Sequence, residues 1–147
     1  MTGFVVHKTV RANPETVFDV FTDHRGYAKL TKLIRTSTLE QEGDPAPNGL
    51  GAIRVLRMPG ATVREQVTAF DRPHDYSYRM LSGAPLRDYV STVTFTPAEQ
   101  GTALAYSVSA IPTIPVVGFA IDLLVKGLIH TLARAAAVEA ERTESRR

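Results

Sequence analysis

Apolar and polar positions along the chain change their period twice. Residues 4–11 alternate and read as a first strand, after which Asn13-Pro14-Glu15 supplies an N-cap, a proline at the first helical position and an acidic first turn. Val17, Phe18, Val20 and Phe21 follow at helical spacing. Asp23-His24-Arg25-Gly26 then interrupts, and Tyr27, Leu30 and Leu33 predict a second short helix. From Arg35 the pattern becomes short strands separated by turn chemistry: Gly43 to Gly51, Pro59-Gly60, Asp71-Arg72-Pro73, Ser82-Gly83-Ala84-Pro85 and Pro97 to Gly101. Six strands in a row are expected. Beyond Pro112 and Pro115 the period returns to that of a helix, with Asp122, Lys126, His130 and Arg134 on one polar stripe. The helix should begin between Pro112 and Val117 and lay Val117, Ile121, Leu124, Leu128 and Ala135 across the concave side of the sheet. The tail from Thr143 is expected to fray.

Side chains alternate faces along a strand, so a hairpin register sorts residues by face. With Pro59-Gly60 as a loop, Met58 faces Ala61, Leu56 faces Val63, Arg54 faces Glu65 and Ala52 faces Val67. The next loop places Tyr76, Tyr78 and Met80 opposite Ala69, Val67 and Glu65. The Ala98-to-Gly101 loop pairs Phe95 with Leu104 and Val93 with Tyr106, with Tyr89 and Ser91 on the same side. The inner face therefore holds aliphatics, an arginine–glutamate pair, a serine and four of the chain's five tyrosines. Ile53, Val55, Arg57, Thr62, Arg64, Gln66 and Thr68 form the outer set.

Composition narrows the function classes. The 17 Lys and Arg against 15 Asp and Glu leave a formal net charge of +2, scattered rather than gathered into a basic stripe, so nucleic-acid binding is not expected. No cysteine is present, which excludes a disulfide framework and a thiolate nucleophile. The four histidines show no metal-ligand spacing, and there is no nucleophile elbow or phosphate loop; neither metal nor cofactor is expected. The most apolar run, Ile111 to Val125, carries two prolines and Asp122 and is shorter than the ~20 residues of a membrane span. With no continuous apolar leader at the N-terminus, a cytoplasmic protein is expected. At 147 residues the chain suits one domain, 1–147, as a monomer or homodimer.

The order strand, two short helices, six strands, long helix resembles the helix-grip superfamily of START-like and Bet v 1-like proteins (SRPBCC), in its polyketide cyclase/dehydrase and lipid-transport branch. The segments that carry the likeness are Val10 to Asp23, Val67 to Pro73 with Tyr76 and Tyr78, and Gly101 to Tyr106. The family pattern often places tryptophans near the end of the second short helix and in the penultimate element. This chain has none, with Leu30 to Leu33 and Tyr106 at those places, which implies a differently shaped pocket. The resemblance implies an α+β fold, a curved antiparallel seven-stranded sheet gripping the C-terminal helix, and a cavity for a hydrophobic small molecule: a lipid, fatty acid or polyketide-like ring. The residues expected to line it are Arg54, Glu65, Tyr76, Tyr78, Met80, Tyr89, Ser91, Tyr106, Leu124 and Leu128. Three functions follow as expectations. The first is non-enzymatic ligand binding. The second is a cyclase, aromatase or dehydratase in which Arg54 and Glu65 are the catalytic candidates. The third, a protein-interaction or stress-related domain, would show a filled cavity and an exposed patch.

Overall fold

The computed structural model of the chain describes residues 2–26, 32, 34–114 and 118–146. Strand β1 (Thr2–Val10) leads into helix α1 (Pro14–Thr22) and a single 3₁₀ turn (His24–Gly26). The second short helix expected through Tyr27, Leu30 and Leu33 falls almost wholly outside the described residues. Six strands follow: β2 (Thr36–Gln41), β3 (Ile53–Met58), β4 (Ala61–Asp71), β5 (Asp75–Ser82), β6 (Leu86–Ala98) and β7 (Gly101–Pro112). All pair antiparallel in the order β1-β7-β6-β5-β4-β3-β2. The long helix α2 (Gly118–Ser145) packs against α1, β1 and β7.

Local chemistry fixes the elements. Asn13 caps α1 through its side-chain oxygen, which accepts from the Thr16 N–H at 3.0 Å, and Pro14 stands at the first helical position. The Pro59-Gly60 turn places Gly60 at φ +78, a conformation that glycine adopts without steric cost. It sets the register as the alternation predicts: Met58 pairs with Ala61, Leu56 with Val63 and Arg54 with Glu65.

Register shifts interrupt strict alternation between Leu39 and Gln41, Arg64 and Glu65, Val67 and Ala69, and Arg87 and Val90, and the last two bear on which residues face inward. A bulge between Val67 and Ala69 shifts β4 by one, so Tyr76 pairs with Phe70 and not with the expected Ala69, while Tyr78 still pairs with Val67 and Met80 with Glu65. The shift turns Phe70 inward, where its ring meets Phe18 at 5.0 Å and Tyr76 at 6.2 Å. A second bulge, between Arg87 and Val90, contains Asp88 at φ 52.

The core has two parts. At one end of the grip, Phe18 and Phe21 of α1 pack edge-on against Phe95 and Tyr76, and Ile129, Ala133, Ala136 and Ala140 of α2 close the cluster. At the other, Ile34, Leu56, Val63 and Leu132 form a smaller group with Met58, Met80 and Leu128 packed partly against it.

The phase of α2 corrects the expected stripe. The buried positions are Ile129, Leu132, Ala133, Ala136 and Ala140, with Ile121, Val125 and Leu128 half-buried; Leu124 is 74% exposed. At 3.6 residues per turn Leu124 lies roughly a third of a turn from the centre of the packed face. The alanines allow the helix to approach the sheet and α1 closely, and that approach sets the rotation. Val117 lies outside the described residues. The helix also runs past Thr143, where fraying was expected, because Glu144 accepts from Asn13 Nδ2 and Thr16 Oγ1, both at 2.8 Å, and Glu141 accepts from the Arg11 N–H at 2.9 Å. No helix among the described residues is long and apolar enough to cross a membrane.

Candidate functional site

The smaller core group does not fill its end of the grip. It borders a cavity of about 110 Å³ between the sheet and α2, walled mainly by aliphatic side chains and methionines. Strands β3 to β6 supply one wall, and Val125, Leu128, Ile129 and Leu132 of α2 supply the other. Four polar residues reach it: Arg54, Glu65, Tyr78 and Tyr89.

Neighbouring positions on β3 and β4 bring Arg54 and Glu65 side by side on the concave face. Arg54 is 2% exposed, and its Nη2 donates to Glu65 Oε1 at 2.9 Å. The guanidinium carbon also lies 4.7 Å from the ring centre of Tyr78 and 5.6 Å from that of Tyr76, so aromatic faces as well as a carboxylate surround the charge. Ser91 Oγ donates to the Tyr89 hydroxyl at 3.2 Å, and the hydroxyls of Tyr78 and Tyr106 share a hydrogen bond. Together these side chains make a polar spot on an apolar wall.

Burial shifts the protonation behaviour of this spot. Desolvation pushes the Glu65 carboxyl above the ordinary carboxylate range, while the charge and hydrogen bond of Arg54 pull it back without cancelling the effect. Desolvation also pushes the Tyr89 phenol far upward, and the negative charge of Glu65 adds to it. Tyr89 therefore stays a neutral hydroxyl across the physiological range. Such a spot can hold a carbonyl or hydroxyl oxygen by hydrogen bonds, and Glu65 is the group in it most readily protonated.

Six of the ten residues expected at the site border the cavity: Arg54, Glu65, Tyr78, Met80, Tyr89 and Leu128. Tyr76, Ser91 and Tyr106 are buried on the same face but sit one layer behind, Tyr76 against Arg54, Ser91 against Tyr89 and Tyr106 against Tyr78. Leu124 is the misplacement; the helix presents Val125, Ile129 and Leu132 in its place. Ile34, Ala84 and Leu86 also line the wall unannounced. Leu86 enters just before the β6 bulge, where alternation gives no guidance; Ile34 and Ala84 precede strands, where periodicity carries no signal.

His24 is buried as well, its ring nitrogen bonded to the side-chain oxygen of Asn48, which also accepts from the His24 N–H at 3.1 Å. This ties the 3₁₀ turn to the loop before β3 and lies apart from the cavity residues. Among the described residues no three His, Asp or Glu side chains converge as metal ligands would.

A family model described as polyketide cyclase / dehydrase and lipid transport matches residues 1–142. No curated protein sequence matches the chain. Among solved structures, the Zhui aromatase/cyclase from Streptomyces sp. R1128 is similar with a TM-score of 0.82 at 17% identity, covering 95% of this chain and 93% of that one. A START superfamily protein from Mycobacterium smegmatis gives 0.81 at 15% identity, covering 97% and 99%. Ara h 8.0201 gives 0.79 at 17% identity, covering 94% and 96%. At these identities the likeness is one of fold.

Proposed function

We propose, from the premise that this chain belongs to the polyketide cyclase/dehydrase and lipid-transport family, that it is a binding module for a hydrophobic small molecule held between the sheet and α2. The observation that carries the reading is the cavity itself: an unfilled apolar space with one buried ion pair on its wall. A well-packed core leaves few voids larger than a water molecule, and a buried arginine is costly to keep unless its charge has a use or a partner. Here the partner is Glu65, and the neighbouring hydroxyls give a ligand oxygen somewhere to dock.

Native mass spectrometry of the purified protein tests this. We expect an adduct of a small apolar molecule, present at purification or gained on incubation with ring ketones, alcohols and short-chain lipids. A chain that keeps its bare mass throughout contradicts the reading.

One observation favours a second reading, a cyclase, aromatase or dehydratase using the same pocket. Glu65 is a carboxyl of raised proton affinity beside a cation and a neutral phenol, which is the setting in which a general acid or base operates. On a poly-ketone substrate, Glu65→Gln should then lower turnover by ~10²- to 10⁴-fold with little change in affinity. Unchanged turnover removes Glu65 from catalysis and leaves the binding reading standing.

A further inference from the structure

Among the described residues, the charges on the cavity wall count to zero. Among the described residues that line it, Arg54 is the only cation and Glu65 the only anion, and they are bonded to each other. Every other element on the wall brings, among the described residues, a neutral group: Tyr78 and Met80 from β5, Tyr89 from β6, and Val125, Leu128, Ile129 and Leu132 from α2. Tyr89 keeps its proton because burial and the nearby carboxylate both oppose the phenolate. The polar spot therefore offers hydrogen bonds and no net charge.

On the reading that this cavity binds an apolar small molecule, we infer that it selects uncharged ligands bearing a carbonyl or hydroxyl oxygen on a compact ring or short chain, and rejects carboxylates of the same shape. A ligand carboxylate would be a second anion next to Glu65, in a site where little water remains to screen the two. Arg54 is already committed to Glu65 and faces two tyrosine rings, so it offers the newcomer only a shared charge. A carboxylate enters on one condition, that Glu65 takes up a proton as it binds. A ketone or alcohol meets no such condition, since it needs only a donor such as the Tyr89 hydroxyl or an acceptor such as Glu65. Size points to the compact end of the class. The cavity of about 110 Å³ is of the same order as the apolar space of about 150 Å³ that accepts a benzene ring.

Acetophenone and benzoate make a matched pair: a ring, the same number of non-hydrogen atoms, one neutral and one anionic at neutral pH. Titrating isotope-labelled protein with each, and following the amides of β3 to β6 by NMR, gives the two affinities. Acetophenone should bind more tightly than benzoate by about tenfold or more, the discrimination expected when like charges meet in a poorly solvated site. Calorimetry of benzoate binding in buffers of different ionisation enthalpy should show uptake of about one proton per ligand, and acetophenone binding should show none. In Glu65→Gln the wall carries the net charge of Arg54 alone, so the preference should invert toward benzoate. The wild-type affinity ratio and proton count stand even where that variant does not fold. Benzoate binding as tightly as acetophenone, with no proton taken up, overturns the inference and leaves the binding reading intact. Failure of either ligand to perturb the pocket, together with a bare mass against the wider panel above, overturns both.

Discussion

The first half of α2 is the more apolar in sequence and the less buried in the fold. From Gly118 to Leu128 it carries Phe119, Ile121, Leu123, Leu124, Val125 and Leu128, yet Phe119 is 77% exposed and Leu123 56%. From Ile129 onward the helix is richer in alanine and charge, yet Ile129, Ala133, Ala136 and Ala140 are almost wholly enclosed. The difference lies in what each half meets. The second half lies on α1 and the aromatic cluster, its small side chains permit close approach, and Glu141 and Glu144 tie its end to Arg11, Asn13 and Thr16. The first half overlies the cavity end of the grip, where Val125 and Leu128 touch the wall while Phe119, Leu123 and Leu124 stay exposed. Apolar content alone therefore does not rank the contribution of a helical segment; steric fit and anchoring do.

Substitutions in the two halves should separate accordingly. Ile129→Ala removes a buried side chain that packs on the main core and borders the cavity with its other side, and should cost ~2–5 kcal/mol in denaturant unfolding. Glu144→Ala removes the acceptor of Asn13 and of the buried Thr16 hydroxyl, and should cost ~1–3 kcal/mol by the same measurement. Gly127→Ala, at an exposed position in the first half where an added methyl meets nothing within 4 Å, should stabilise by about 0.5–1 kcal/mol through helix propensity. Leu124→Ala should fall within about 0.5 kcal/mol of wild type. A Leu124→Ala cost equal to that of Ile129→Ala would erase the contrast between the halves.

The smallest expected signal is a slope with pH. Folding raises the proton affinity of Glu65 above its ordinary value of 4.5, so between that value and the raised one the folded chain holds more protons than the unfolded chain. The stability this group contributes is fully present below its unfolded value and is lost as the pH rises through its folded value. The stability difference between wild type and Glu65→Gln should therefore shrink, or turn against wild type, as the pH climbs from 4.5 toward neutrality. A difference that grows over this range would mean that the Arg54 charge outweighs burial.

Much of the architecture was legible in the sequence because it rests on local chemistry. The Asn13-Pro14 entry marks α1, the Pro59-Gly60 turn sets the Arg54–Glu65 register, and alternation carries Tyr78, Tyr89 and Tyr106 inward. Where legibility stopped, the cause was non-local. The β4 bulge that exchanges Ala69 for Phe70 has no marker at its own residues; it is favoured by the ring contacts of Phe70 with Phe18 and Tyr76, which lie far along the chain or across the sheet. The phase of α2 is hard to read because more than half its circumference is apolar, so the expected stripe runs through Leu124, whereas the alanine face that meets α1 and the sheet turns Val125 to the cavity. The layer behind the cavity, Tyr76, Ser91 and Tyr106, cannot be told from the lining by alternation, since both layers share a face.

The central claim is that the space between the sheet and the middle of α2 is a binding site, and filling it is the most direct test. Leu128 is half-buried on its wall, so Leu128→Trp can occupy the cavity with little disturbance of the packed second half of the helix. Titrated with acetophenone and followed by NMR, wild type should show saturable shifts confined to the cavity residues, and a folded Leu128→Trp protein should lose them. Shifts of equal size and affinity in the filled variant would place the binding elsewhere and contradict the account.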